Sequence, residues 1–208
     1  MPLISQLHII TDNPSTAEQA CRAGAKWIQL RIENQPMEVV QHLASITKNI
    51  CLQYNAILII DDFVDIAIET NADGVHLGKS DMPLKDARQL LGDSKIIGAT
   101  ANTFEDIVEI HKCQVDYIGL GPFKFTTTKK NLSPLLGLSG YTELVEKAHA
   151  CGYHLPLIAI GGIELNDILP LMRTKIHGIA LSGAVTQNNE VESNTKQILN
   201  ALTQHTHE

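Results

Sequence analysis

The run from Tyr117 to Lys130, Tyr-Ile-Gly-Leu-Gly-Pro-Phe-Lys-Phe-Thr-Thr-Thr-Lys-Lys, carries the chain from an apolar strand into a cluster of hydroxyls and cations. Glycines 119 and 121 let the backbone approach a ligand that a Cβ would block. Thr126, Thr127 and Thr128 offer hydroxyl and amide donors, and Lys129 adds a full charge. That combination suits a phosphate or pyrophosphate. Alone, the run reads equally well as a polar loop after a strand, so the rest of the chain must decide.

Two aspartates form the second group. Asp62 and Asp81 each stand shortly before an expected helix, where an acid often serves as a cap or first-turn charge. Together, and facing an anion loop, they suit a Mg²⁺ held by one or two carboxylates and completed by substrate phosphate oxygens and water. The planar fork of Arg31 suits a diphosphate and equally suits a structural pairing with Glu33 or Asp61. Gly161-Gly162 before the helix at Leu165, with Leu181-Ser182-Gly183-Ala184 near the chain's end, matches the small-residue cup that binds phosphate through backbone amides in many barrels. One anion site would use a metal and the other would not, so two phosphorylated substrates are expected.

These residues need a scaffold that brings distant positions together. Short apolar segments rich in β-branched residues alternate with longer segments of helical period. The expected strands are Leu7 to Thr11, Trp27 to Arg31, Ala56 to Asp61, Gly74 to Leu77, Lys95 to Gly98, Tyr117 to Gly121, Leu157 to Gly161 and Ile179 to Ser182. The helices expected between and after them run from Pro14 to Ala23, Met37 to Tyr54, Val64 to Asn71, Pro83 to Leu91, Thr103 to Cys113, Gly140 to Ala150, Leu165 to Arg173 and Asn194 to Gln204. Eight such repeats predict a single-domain (β/α)₈ TIM barrel over residues 1–208, with about 204–208 as a disordered tail that includes His205 and His207. An open doubly wound sheet is the alternative. It usually carries a glycine-rich fingerprint after the first strand, whereas Thr11-Asp12-Asn13-Pro14 here is a capped helix start. In a barrel the polar residues named above all fall at the C-terminal ends of strands, on one rim.

Composition narrows the function classes. The chain has 208 residues, 44% of them hydrophobic, enough for one sizeable core. A net charge of −7 and a pI near 5.7 argue against a nucleic-acid binder, which needs a basic stripe. Cys21, Cys51, Cys113 and Cys151 lie far apart without a CxxC pair, so neither a zinc site nor a disulfide framework is signalled, and a reducing cytoplasm is expected. No window approaches the roughly 20 apolar residues of a membrane helix, and no leader pattern opens the chain. A soluble, unprocessed protein without membrane or nucleic-acid partners follows as the expectation.

Over nearly its whole length the chain resembles the thiamine phosphate synthase family. The resemblance rests on Gln29-Leu30-Arg31, Ile60-Asp61-Asp62, the run Ala72 to Asp81, Ile97-Gly98-Ala99-Thr100, Tyr117 through Lys129, Ala159 through Ile163, and Gly178 through Ala184, in that order. It implies the joining of a hydroxymethylpyrimidine diphosphate to a thiazole phosphate, with release of pyrophosphate. By position it implies Asp62 and Asp81 as magnesium ligands and Arg31, Lys129 and Thr100 as the groups acting on the diphosphate. Gln29 is implied as a further pyrimidine diphosphate contact, and Leu30, Ile32, Glu33 and Asp61 as substrate-binding positions beside it. Thr126, Thr127, Thr128, Gly162, Ser182 and Gly183 form the thiazole phosphate site. The implied mechanism is dissociative: the diphosphate departs, a pyrimidine-stabilised cation forms and the thiazole nitrogen captures it. Catalysis then lies in electrostatic stabilisation of the leaving group, and the resemblance is compatible with a homo-oligomer.

Three positions depart from the family pattern. Glu33 stands where a lysine is usual, Asp61 where an asparagine is usual and Gly183 where a serine is common. Lys79 and Lys130 are the candidates to restore the missing positive charge. Two other readings share the barrel. A thiazole tautomerase would follow the sixth-strand glycine with a histidine, where this chain has Pro122; a non-catalytic thiazole or thiamine phosphate binder would have lost turnover through Glu33. His76, inside the fourth strand, is expected to be a hydrogen-bonded barrel residue rather than a ligand.

Overall fold

The apolar runs form strands at the expected places. The computed structural model describes residues 3–125 and 134–205. In it, strands β1 (Leu7–Thr11), β2 (Trp27–Leu30), β3 (Ile57–Asp61), β4 (Gly74–Leu77), β5 (Ile96–Ala101), β6 (Tyr117–Leu120), β7 (Leu157–Ile160) and β8 (Gly178–Leu181) pair in parallel, in sequence order. Ile9 of β1 stands opposite both Ile28 of β2 and Leu181 of β8, which closes the sheet on itself. Closure excludes the open doubly wound alternative.

Alternation along each strand sorts its side chains into two cores. One set, including Ile28, Leu58, Val75, Ile97, Ile118 and Ile179, faces the helices. The other, including Ile10, Trp27, Ile59, Ile96, Tyr117 and Ile158, fills the barrel interior. Burial on both faces explains why the strands are near-continuously apolar. At about 25 cal/mol per Å² of apolar surface removed from water, these two layers are the main stabilising force.

Around the barrel lie α1 (Pro14–Arg22), α2 (Met37–Gln53), α3 (Val64–Glu69), α4 (Leu84–Leu91), α5 (Phe104–His111), α6 (Gly137–Ala150), α7 (Ile168–Arg173), α8 (Gly183–Thr186) and α9 (Val191–His205). Local chemistry starts several of them. Asn13 caps α1 by accepting from the Ser15 amide at 2.8 Å, with Pro14 just inside the helix. Thr103 and Asp106 form a reciprocal capping box on α5.

Some boundaries differ from the sequence expectation. The helix expected from Leu165 opens instead as a 3-10 turn, Leu165–Asp167, and α7 begins at Ile168. Pro170 explains this, because a residue without an N–H is tolerated only in a first turn. Strand β5 extends to Ala101, so Thr100 lies inside a strand rather than after one. Helix α9 continues through Gln204 to His205, so the expected tail does not begin at 204. The short α8 had no counterpart in the sequence reading.

Candidate active site

The C-terminal ends of β2, β3 and β4 build an acidic and cationic cluster from the inside outward. Gln29 is buried and donates through Nε2 to Asp61 Oδ1 at 2.5 Å. Arg31 donates through Nη1 to Asp61 Oδ2 at 2.8 Å. Glu33 Oε1 accepts from both Nε, at 2.9 Å, and Nη2 of the same guanidinium. Arg31 thus makes both of the pairings considered from the sequence. Asp61, with 2% of its side chain exposed, is the buried partner that fixes the fork.

Asp62 follows at once, in the left-handed region with φ +67°. Its amide donates to the His76 carbonyl at 2.9 Å, which ties this turn to β4. Neither Asp62 nor Asp81 caps a helix: the residues before α3 and α4 are Phe63 and Pro83. Asp81 instead folds back, its Oδ2 accepting from the Gly78 amide at 2.6 Å. The Asp81 carboxylate faces Asp62 closely enough to act on its charge. Burial, then the charge of Asp61, then Asp81 push Asp62 up to about 7, against the pull of Arg31.

An Asp62 carboxyl held protonated by burial and by neighbouring acids, with Asp81 beside it, forms a donor set that a divalent cation would satisfy. Mg²⁺ commonly takes one or two carboxylates and fills its remaining positions with water and phosphate oxygens. Among the described residues no group of three His, Cys, Asp or Glu side chains could enclose an ion. The pair therefore fits a cation completed by a substrate rather than an all-protein cage.

Across the rim, Thr100 Oγ1 stands 3.0 Å from His76 Nε2, and His76 Nδ1 stands 3.0 Å from the Tyr117 hydroxyl. His76 is a hydrogen-bonded barrel residue, as its sequence position suggested. On the far side Gly161 and Gly162 both have positive φ, +98° and +65°. A Cβ on Gly162 would lie 2.7 Å from the Phe125 carbonyl oxygen, so only glycine lets the β6 and β7 loops pack this closely. Ser182 closes β8 and precedes α8, and the space beside Gly183 is open. Tyr141 of α6 stitches these strand ends together, its hydroxyl donating to the Leu120 carbonyl and accepting from the Ile160 amide at 3.3 Å.

The structure therefore brings Gln29, Leu30, Arg31, Ile32, Glu33, Asp61, Asp62, Asp81, Thr100, Gly162, Ser182 and Gly183 to one end of the barrel. Thr126, Thr127, Thr128, Lys129 and Lys130 lie outside the described residues. Lys79 pairs with Asp106 in the first turn of α5 at 2.6 Å. Tyr141 and the Tyr117 hydroxyl went unremarked in the sequence reading. For Tyr117 a signal existed in Gly98 and Gly119, glycines inside strands that make room for rings.

A closed (β/α)₈ barrel with paired carboxylates, a guanidinium and a small-residue cup on its C-terminal rim belongs to the barrel enzymes that act on phosphorylated small molecules. Comparison narrows the class. The sequence model of the thiamine monophosphate synthase family matches residues 3–185. A thiamine-phosphate synthase of Bacteroides fragilis is 51% identical over 185 residues, 89% of this chain and 91% of the relative. One from Flavobacterium johnsoniae is 51% identical over 187 residues, 90% and 88% of the respective chains. A solved thiamine phosphate pyrophosphorylase from Pyrococcus furiosus superposes with a TM-score of 0.86 at 30% identity, covering 96% of each chain. The chain belongs to the thiamine monophosphate synthase family and is an enzyme of it. Helix α9 lies beyond the residues that the family model matches.

Proposed function

We propose that the enzyme condenses 4-amino-2-methyl-5-hydroxymethylpyrimidine diphosphate with 4-methyl-5-(2-phosphoethyl)thiazole, in the presence of Mg²⁺, to give thiamine phosphate and pyrophosphate. The observation that carries this reading is the strand-end cluster in which Asp61 holds the Arg31 guanidinium at 2.8 Å, with Asp62 next in the chain and Asp81 acting on its charge: acids beside a fixed guanidinium, suited to a diphosphate that arrives with a divalent cation. Bound there, Mg²⁺ would neutralise charge developing on the leaving diphosphate.

The chain's own residues do the rest. Asp62 and Asp81 would hold the cation, and Asp62 would give up its proton to do so. Arg31, braced by Asp61, directs its fork at the diphosphate, and Thr100 and Lys129 add donors. As the bond from the pyrimidine methylene carbon to the diphosphate oxygen breaks, its electron pair leaves with the diphosphate, and the cation left behind is captured by the thiazole nitrogen. Thr126 to Thr128, Gly162, Ser182 and Gly183 hold the thiazole phosphate. No side-chain nucleophile or general base takes part, which accords with Pro122 at the position after Gly121. The reaction is assigned to the cytoplasm.

Incubation with both substrates and Mg²⁺ tests this reading. Release of pyrophosphate with formation of thiamine phosphate is expected, and it should cease with EDTA. Binding of the thiazole phosphate without pyrophosphate release would overturn the synthase assignment in favour of a binder, and isomerisation of a thiazole precursor would favour a tautomerase.

A further inference from the structure

The barrel interior holds a polar column of which the proposed chemistry uses only the outer end, Thr100. Three adjacent strands contribute it: His76 from β4, Thr100 from β5 and Tyr117 from β6. Tyr117 is 1% exposed and His76 6%. Space for the rings is made by the strands beside them. A Cβ on Gly98 would lie 2.1 Å from Tyr117 Cζ, and one on Gly119 2.9 Å from His76 Cε1. Below, Tyr117 packs edge-on against His8 and Trp27.

The hydrogen bonds have a direction. Among the described residues the Tyr117 hydroxyl has a single hydrogen-bond partner, His76 Nδ1 at 3.0 Å. If that nitrogen carried the proton, the phenol hydrogen would be buried without an acceptor, at a cost of about 1–3 kcal/mol. The phenol therefore donates, and burial, pushing its pKa well above the ordinary value, keeps that proton in place. With Nδ1 accepting, the neutral ring carries its hydrogen on Nε2 and donates it to Thr100 Oγ1 at 3.0 Å. Thr100's own hydrogen is then released toward the barrel mouth. In the opposite tautomer Thr100 would donate inward and present only lone pairs to an arriving anion.

We propose that Tyr117 and His76 are positioning residues that fix the Thr100 hydroxyl as a hydrogen-bond donor to the departing diphosphate. The inference rests on the proposed reaction for its ligand, but the relay is a property of the free protein. ¹⁵N NMR of the histidine rings, with His76 assigned by loss of its signals in His76→Asn, should show the Nε2–H tautomer in the wild type. Steady-state kinetics should show kcat falling about tenfold in Tyr117→Phe, with the diphosphate KM changed by less than about threefold. Thr100→Ser, which keeps the hydroxyl, should retain more kcat than Thr100→Val. Tyr117→Phe should cost less than about twofold further in a Thr100→Val background, because the relay then has nothing to orient.

An Nδ1–H tautomer in the wild type, or losses that multiply in the double variant, would overturn the relay. The tautomer is read without substrate, so it decides the relay even if Tyr117→Phe folds poorly. Absence of pyrophosphate release by the wild type would instead overturn the reaction assignment and leave the NMR result standing on its own.

Discussion

Glu33 occupies the outer edge of the Arg31 guanidinium, one carboxylate oxygen accepting from both Nε and Nη2, while Asp61 holds Nη1 from beneath. The inner contact is buried and the outer one is open, with 45% of the Glu33 side chain exposed. An exposed pair of this kind is worth about 0–1 kcal/mol, too little to resist a dianionic competitor. Glu33 is therefore a displaceable counter-ion on the edge that a diphosphate would use. Glu33→Gln should lower KM for the pyrimidine diphosphate by about two- to fivefold at low salt, and less at high salt. A higher KM in steady-state assays would show that Glu33 braces Arg31 instead.

Two glycines of the expected thiazole phosphate cup differ sharply in what they tolerate. Gly162 has φ +65°, and a Cβ there would meet the Phe125 oxygen at 2.7 Å and Lys124 Cβ at 3.0 Å. Gly183 meets nothing within 4 Å. Gly162→Ala should cost about 1–3 kcal/mol in denaturant unfolding and raise KM for the thiazole phosphate, since it forces apart the β6 and β7 loops. Gly183→Ala should stay within about 0.5 kcal/mol of the wild type. Equal losses at both positions would show that the cost at Gly162 does not come from the crowding of the β6 and β7 loops.

Much of this was legible in the sequence. The barrel was, because strands buried on both faces must be apolar throughout, and because strand-end residues such as Gln29, Asp61 and Gly161 mark a rim. The pairings on that rim were legible only as alternatives, Arg31 with Glu33 or with Asp61. Whether Arg31 reaches Asp61 depends on the stagger of β2 against β3, which no local pattern encodes. The link from Tyr117 through His76 to Thr100 likewise depends on the offset of three strands. The start of α7, by contrast, was readable from Pro170, whose missing N–H belongs in a first turn.

The environment of Asp62 predicts a pH dependence for the metal-free protein. The Asp62 carboxyl has an ordinary value of 3.8 and is pushed up to about 7 in the fold. Between those values the folded state holds a proton that the unfolded chain has lost, so stability falls as pH rises through this window and levels off above it. Asp62→Asn removes the group and should flatten that part of the profile, measured by denaturant unfolding in EDTA. Mg²⁺ needs the ionised form, so its binding near pH 6 should release a proton, counted by calorimetry in buffers of different ionisation enthalpy. Parallel profiles for the wild type and Asp62→Asn would show that Asp62 is not held protonated by the fold.

Gly98 sets the last prediction, because it separates stability from catalysis at one place. An added Cβ would lie 2.1 Å from Tyr117 Cζ and 2.5 Å from its hydroxyl oxygen. The ring cannot retreat: it is packed edge-on against Trp27 and His8 in the closed barrel. Gly98→Ala alone should therefore cost more than about 3 kcal/mol, a size that overpacking reaches only where neighbours are rigid. Replacing the ring at the same time, as Gly98→Ala with Tyr117→Leu, should recover part of that loss, a non-additivity expected of side chains in direct contact. Activity should not return with the stability, since the double variant keeps His76 and Thr100 but lacks the phenol that orients them. Thermal melts and kcat measured on the same preparations would separate the two effects, and recovery of both together would place the importance of Tyr117 in packing alone.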